Sequence, residues 1–471
     1  MSSGSTSKAT SKARTDIIEM RRRLRASFES GRTTDLEWRR SQLEGLIRFL
    51  EENEKELVDA MVVDLGKPRF DAWLTDLLTT RDEARHALKH LKDWARPHRH
   101  PVPVVTFPAT AWTEPQPVGV ALVIAPWNYP VQLLLSPLVG ALAAGCCALL
   151  KPSELAPASA RVIADLIPRY LDPEAVIVAE GGVDVTTALL AEEWDHILFT
   201  GSTRVGRIVM EAAARHLTPV TLELGGKSPT IVAADADLAI AARRIAWAKY
   251  LNAGQTCIAP DYVLVEHSVQ DRFTGLLVDE LSKLRDRAEP ASIVNHDHIA
   301  RLEGLLEGHG GEELLPPKTD TVTRVMAPVI VREPNPASPL MQEEIFGPLL
   351  PVLGVESIAE AISFVRSRPK PLALYLFTSS GDVERRVLDR TSAGSVCVNH
   401  LVYQVAAPSL PFGGVGPSGM GAYHGKAGFD TFTHHKPVMR RPTRGDLSLM
   451  YPPFTPVVQN VLRLVTRWPW R

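Results

Sequence analysis

The chain reads as an α/β protein built on Rossmann-like parallel sheets, with two α/β blocks and a smaller linking element. Three observations carry that reading. Across 118–216, apolar runs of strand length alternate with helix-length segments, the pattern of strands covered on both faces. A second series of the same kind runs from near Glu223 to Val398. Outside both lie a proline-rich stretch, 98–117, and a glycine-rich one, 399–445.

Taken in order, residues 1–13 are mostly Ser, Thr, Lys and Ala without apolar periodicity, and are expected to form a disordered tail. Between Thr15 and His100 apolar residues recur at helical spacing (Leu43, Leu46, Ile47, Leu50, then Leu57, Ala60, Met61) amid dense charge, which predicts a surface layer of helices. The prolines of 97–117, set around Val102, Val104 and Val105, suit an extended excursion or an edge hairpin. In the first block, strands are expected at 118–125, 146–150, 176–179 and 196–200, with helices at 131–144, 157–168 and 207–216. In the second, strands are expected at 230–233, 262–266 and 371–378. Ligands of such sheets collect at the carboxyl ends of the strands. No internal repeat is visible.

At 471 residues the chain is long enough for two or three domains. Lys plus Arg number 52 against 54 Asp plus Glu, and that balance argues against nucleic acid as a partner. Four cysteines without paired spacing point to a reducing compartment and supply neither a disulfide framework nor a zinc site. His424, His434 and His435 stand near no acid or cysteine cluster, so no metal is expected. No apolar run reaches a membrane-spanning length and the polar N-terminus lacks a signal-peptide core, so the expected location is the cytoplasm. The C-terminal segment places Val458, Val461, Leu462 and Val465 at helical spacing before Trp468 and Trp470, with Arg463, Arg467 and Arg471 interspersed. That tail suits either a membrane interface or packing against a second copy of the chain.

The chemistry centres on Tyr250-Leu-Asn-Ala-Gly-Gln-Thr-Cys257-Ile-Ala-Pro260. Only a thiolate attacks carbon, so a working cysteine needs a partly exposed, electropositive seat. Gly254 lets the backbone turn, Gln255 and Thr256 bring polar groups, and Pro260 stops a helix. Cys146 and Cys147, inside an apolar run, and Cys397, in a strand-like alternation, read as core instead. Upstream, Val220-Thr-Leu-Glu223-Leu-Gly-Gly-Lys-Ser-Pro229 sets a carboxylate between leucines, where its pKa rises and it becomes useful as a base. A thiol with a separate carboxylate suits acyl chemistry, the base sending water against a thioester.

These two segments, in this order and separation, are the active-site signatures of the NAD(P)-dependent aldehyde dehydrogenases, which the chain resembles from about Asp16 to about Pro437. Leu410-Pro-Phe-Gly-Gly-Val-Gly-Pro-Ser-Gly-Met-Gly-Ala-Tyr-His-Gly-Lys-Ala-Gly-Phe-Asp-Thr-Phe-Thr-His-His-Lys436 is most similar to the class 3, fatty and aromatic aldehyde branch. The resemblance implies Cys257 as nucleophile, Glu223 as base, and Asn128 with the Cys257 amide as oxyanion hole. It implies Trp127 lining the pocket, Lys151 and Glu154 on a ribose, Gly201, Ser202 and Gly206 along a pyrophosphate, Glu344 on the nicotinamide ribose and Phe346 against its ring. An acid at Glu154 repels a 2'-phosphate, which makes NAD the first choice of cofactor with NADP also accepted. The division implied is a cofactor domain of 14–97 and 118–222, a catalytic domain of 223–398, bridging segments at 98–117 and 399–445, and an extension at 446–471. A homodimer acting on a small aldehyde is expected.

Without the resemblance some of these residues remain ambiguous. Gly201-Ser-Thr-Arg-Val-Gly206 lacks the three-glycine dinucleotide fingerprint and would pass for a plain strand-to-helix turn. Asn128 could merely serve the turn before Pro130.

Overall fold

The computed structural model describes residues 3–103, 106–446 and 450–466. Its first sheet grows outward from Val120–Ile124, an all-apolar strand buried at every position. Cys147–Lys151 and then Val176–Val178 extend it in parallel on one flank. His196–Gly201 and then Val220–Leu224 extend it in parallel on the other, and Gly419–Met420 closes that edge antiparallel. Because the chain builds one flank first and returns to build the other, the order reverses between Val120–Ile124 and His196–Gly201. The loops leaving those two strands diverge and open a crevice at their carboxyl ends. One loop carries Trp127 and Asn128, the other Ser202.

The second sheet has the order Glu312–Glu313, Val329–Arg332, Leu349–Val355, Tyr262–Glu266, Pro229–Val232, Ala373–Phe377, Ser395–Val398, with only the first pairing antiparallel. Its central strands are apolar and buried, like those of the first. Glu223 therefore stands on a strand of the first sheet, six residues before the chain enters the second at Pro229–Val232. The stretch 251–261, holding Cys257, enters the second sheet at the amino end of Tyr262–Glu266. The chemistry thus lies between the carboxyl edge of one sheet and the amino edge of the other.

A third sheet forms from His98–His100, Thr110–Pro117 and Thr433–Arg440, all antiparallel. The expected hairpin at 97–117 is there, and a strand from within the glycine-rich segment joins it; Val104 and Val105 lie outside the described residues. The helical layer comprises Leu36–Glu52, Glu54–Leu65 and Thr79–Trp94, whose predicted apolar positions, Leu43, Leu46, Leu50, Leu57 and Met61, are buried.

Three expectations are corrected. The first helix runs Ser3–Glu29, so the segment read as a disordered tail is largely helical. It lacks apolar periodicity, but Ala and Lys are good helix formers and no proline interrupts them, so a helix begun further on propagates back. The helix after His196–Gly201 begins at Thr203, not Arg207, because Ser202 caps it by accepting from the Val205 amide at 3.4 Å. Gly206 then lies within the first turns, and a side chain there would meet Leu224. Cys146 and Cys147 are buried as expected, whereas Cys397 is only half-buried, since Ser395–Val398 is the edge strand of its sheet.

Among the described residues no helix is long and apolar enough to cross a membrane. The last, Pro456–Thr466, leaves Val457, Val461 and Leu464 exposed; Trp468 and Trp470 lie outside the described residues.

Candidate active site

The loop before Cys257 is held in an uncommon shape. Asn252, Ala253 and Gly254 are consecutively left-handed, with φ of 51°, 52° and 71°. For non-glycine residues that conformation costs about 1–2 kcal/mol each, so it persists only where neighbours impose it. They do so through buried hydrogen bonds. Asn252 Nδ2 donates to the carbonyls of Asn128 (3.0 Å) and Gln255 (3.1 Å). Gln255 Nε2 donates to the carbonyls of Asn252 (3.1 Å) and Ser292 (3.0 Å), and its Oε1 accepts from the Val294 amide (3.0 Å). Gly254 is required, since a Cβ there would stand 2.3 Å from the Gly347 carbonyl oxygen. Beyond the cysteine, Tyr375 Oη donates to the Ile258 carbonyl (2.6 Å) and Lys249 Nζ to that of Pro260 (3.0 Å).

Cys257, partly exposed, lines a cavity of ≈ 320 Å³ whose walls include Leu133, Trp247, Val402, Phe412 and Tyr423. Its thiol is pushed up to about 12, first by burial and then by the charges of Glu344 and Glu223. The electropositive seat expected from sequence is therefore corrected: the ionisable neighbours that bear on this sulfur are acids. Trp127, Asn128 and Glu223 are not among the residues lining this cavity, and the Trp127 ring stands edge-on to Phe346 (5.5 Å) and His298 (5.5 Å).

Asn128, 1 % exposed, donates from Nδ2 to the Gln255 carbonyl at 3.0 Å. That acceptor fixes which end of the amide faces the cysteine loop, and leaves the second N–H of the same nitrogen for another partner. Glu223, on the strand Val220–Leu224, is 2 % exposed, and neither carboxylate oxygen has a hydrogen-bond partner. Burial raises its pKa well above the usual carboxylate range.

Glu344 is raised to about 7, chiefly by burial, with Asp261 adding to the shift and the Gly226 amide opposing it. Its Oε1 is unpartnered, and it packs so closely on Gly225 that a Cβ would meet its carboxylate at 2.1 Å. At the end of Cys147–Lys151, the buried Lys151 Nζ donates to the Pro152 carbonyl and lies 3.3 Å from Glu154, whose side chain is 44 % exposed. Gly201 has the Phe199 ring where a side chain would go.

A dinucleotide fits these residues. Free amides at the start of Thr203–Ala214 attract phosphate. Exposed Glu154 can accept ribose hydroxyls at one end, and unpartnered Glu344 at the other. Between the ends lies the crevice of the strand-order reversal.

The structure also assembles groups that sequence reading missed. Lys67 and Asp76, both fully buried, form an ion pair of 2.7 Å beneath Asn128 and Tyr129. Tyr129 Oη and Thr256 Oγ1 are 2.6 Å apart. Glu83, raised to about 7 by burial, lies 3.8 Å from His424, which burial pushes down to about 4. A lysine between Gly66 and Pro68 was the one available signal.

A thiol, an amide donor and a buried carboxylate, with residues that fit a dinucleotide, suit an oxidoreductase. The comparisons agree. The model of the aldehyde dehydrogenase family matches residues 3–438. The chain is 47 % identical over 442 residues to aldehyde dehydrogenase family 3 member A2 of Rattus norvegicus, with 92 % of this chain and 90 % of that protein covered. It is 43 % identical to the "dimeric NADP-preferring" aldehyde dehydrogenase of Canis lupus familiaris, covering 93 % and 98 %. The solved substrate-bound state of Staphylococcus aureus AldH aligns with a TM-score of 0.92 and 40 % identity, covering 95 % of this chain and 99 % of that one. The chain belongs to the aldehyde dehydrogenase family. It is an NAD(P)-dependent oxidoreductase that converts aldehydes to carboxylic acids.

Proposed function

We propose that Cys257 is the nucleophile, Asn128 the oxyanion donor and Glu223 the hydrolytic base. The observation that carries this reading is the pairing of Cys257 with a buried, unpartnered carboxylate whose charge bears on its sulfur. Cys257 Sγ adds to the aldehyde carbon, and its proton leaves to solvent, directly or by way of Glu223, which is left as the carboxylate. The alkoxide that forms takes the free N–H of Asn128 Nδ2, a fixed donor of the kind typically worth ~3 kcal/mol of barrier. When bound, the cofactor supplies the hydride acceptor. Glu223 then draws a proton from water as that water attacks the thioester, and the acid leaves with Cys257 regenerated. Glu344, Phe346, Trp127, Lys151, Glu154, Gly201 and Ser202 hold the dinucleotide, with Gly206 behind them packing helix on strand. Glu154 favours NAD by repelling a 2'-phosphate, while NADP is accepted, as the name of the Canis relative suggests. The sheet built on 120–224 serves as the cofactor domain, the one built on 229–398 as the catalytic domain, and 98–117 with 399–445 as the bridge.

The apolar cavity suits medium and long aliphatic or aromatic aldehydes. Homodimerisation follows the Canis relative's name. The exposed apolar face of Pro456–Thr466 suits a membrane surface, touched by an otherwise cytoplasmic enzyme. Resolution of the thioester by coenzyme A instead of water is disfavoured by the presence of Glu223. The test is NADH or NADPH formation from hexanal, octanal, benzaldehyde and cinnamaldehyde with NAD or NADP respectively. Activity lost in Cys257→Ala and independent of added coenzyme A supports the reading; full turnover in Cys257→Ala overturns it.

A further inference from the structure

Beneath the Asn128 turn lies a charge pair that the reaction does not touch. Lys67 Nζ and Asp76 Oδ2 are 2.7 Å apart, and both side chains are wholly excluded from solvent. Removing two charges from water is costly, and an apolar pair of similar size is often no less stable. What the pair grips is therefore informative. Lys67 Nζ also reaches the Asn128 carbonyl oxygen at 3.4 Å and lies 3.9 Å from the centre of the Tyr129 ring. Asp76 Oδ1 accepts from the amides of Val131 and Gln132, each at 3.2 Å, closing the start of the helix Gln132–Ala144. Residues 128–132 are thus held on one side by these two charges. On the other side the cysteine loop holds the same turn, through Asn252 on the Asn128 carbonyl and Thr256 on Tyr129. Asp76 arrives by a local irregularity, a π-helical turn at Trp73–Leu78 within an otherwise α-helical run. Such turns are rare and concentrate at functional sites.

We infer that Lys67 and Asp76 are positioning residues for the oxyanion donor, acting on the aldehyde through the backbone of the Asn128–Gln132 turn and never by contact with it. The inference rests on the reading of Asn128 given above. A pair that only maintained the fold would grip any part of the helix layer; this one grips the donor's own carbonyl and the Val131 and Gln132 amides of the same turn.

The experiment is a double-mutant cycle on the full chain, measuring kcat and KM for octanal with thermal unfolding of every variant. Lys67→Met leaves a buried carboxylate unpaired and strongly destabilises the fold. Lys67→Met/Asp76→Asn removes both charges while keeping an acceptor for Val131 and Gln132, and is the variant on which the result is read. In the parent, the double variant lowers kcat by at least about tenfold with little change in KM, the signature of support lost in the transition state. In Asn128→Ala, the same two changes lower kcat by less than about twofold, because the group they position is already gone. An equal loss in both backgrounds, or a folded double variant with undiminished kcat, overturns the inference alone. Undiminished kcat in Asn128→Ala by itself overturns the oxyanion reading and the inference with it.

Discussion

At Cys257 the sulfur and its neighbours are set against each other. The thiol is held up near 12 by burial and by two carboxyls, so in the free enzyme it is almost wholly protonated at neutral pH. Its reactivity must therefore rise with alkali. Alkylation by iodoacetamide is expected to quicken about tenfold per pH unit between pH 7 and 10, since the thiolate fraction grows that way below its pKa. A plateau below pH 8 would mean that the acids do not govern the sulfur. Glu223 offers a complementary test. A carboxyl whose pKa is higher folded than unfolded favours the folded state at low pH and withdraws that support as pH rises from the unfolded value through the folded one. Glu223→Gln removes the charge, so at pH 8 it should be more stable than the parent while losing turnover. Equal stability of the two at pH 8 contradicts the burial argument. Both residues were legible in the sequence because each signal is local: a lone cysteine among polar neighbours, an acid between leucines. The acidity around the thiol was not legible, since Glu344 lies 87 residues away in sequence.

Elements were legible to the extent that their cause lies within them. The buried strands and the helix Gln132–Ala144 announce themselves by unbroken apolar composition, and their ends came within a few residues. The start of Thr203–Ala214 was missed because the signal is one serine, and the same residue also reads as loop. The left-handed run 252–254 was invisible, as its restraints come from Asn128, Ser292 and Val294. That run carries its own prediction. Gly254→Ala adds left-handed strain and a clash with the Gly347 carbonyl, which together should cost about 2–4 kcal/mol and most of the turnover. Denaturant unfolding measures it, and a loss below 1 kcal/mol would show the loop free to relax.

Over the whole molecule, the chain's crossing from one sheet to the other explains how residues so distant in sequence come to one site. The first sheet supplies Asn128 and Glu223 from its carboxyl edge, and the second receives the cysteine loop at its amino edge. The surface properties belong to this scale as well. Truncation after residue 446 should leave aldehyde oxidation within about twofold of the parent and abolish sedimentation with anionic vesicles, if the apolar face of Pro456–Thr466 is what meets the membrane. Co-sedimentation of the truncated chain, or none by the full one, removes that role.

The thioester route meets its most direct test in rapid mixing of Glu223→Gln with octanal and NAD, followed by intact and peptide mass measurement. Without its base the enzyme should release a burst of about one NADH per site and then stall, with an octanoyl adduct on Cys257. Steady turnover without a burst, or an adduct on any other residue, contradicts it.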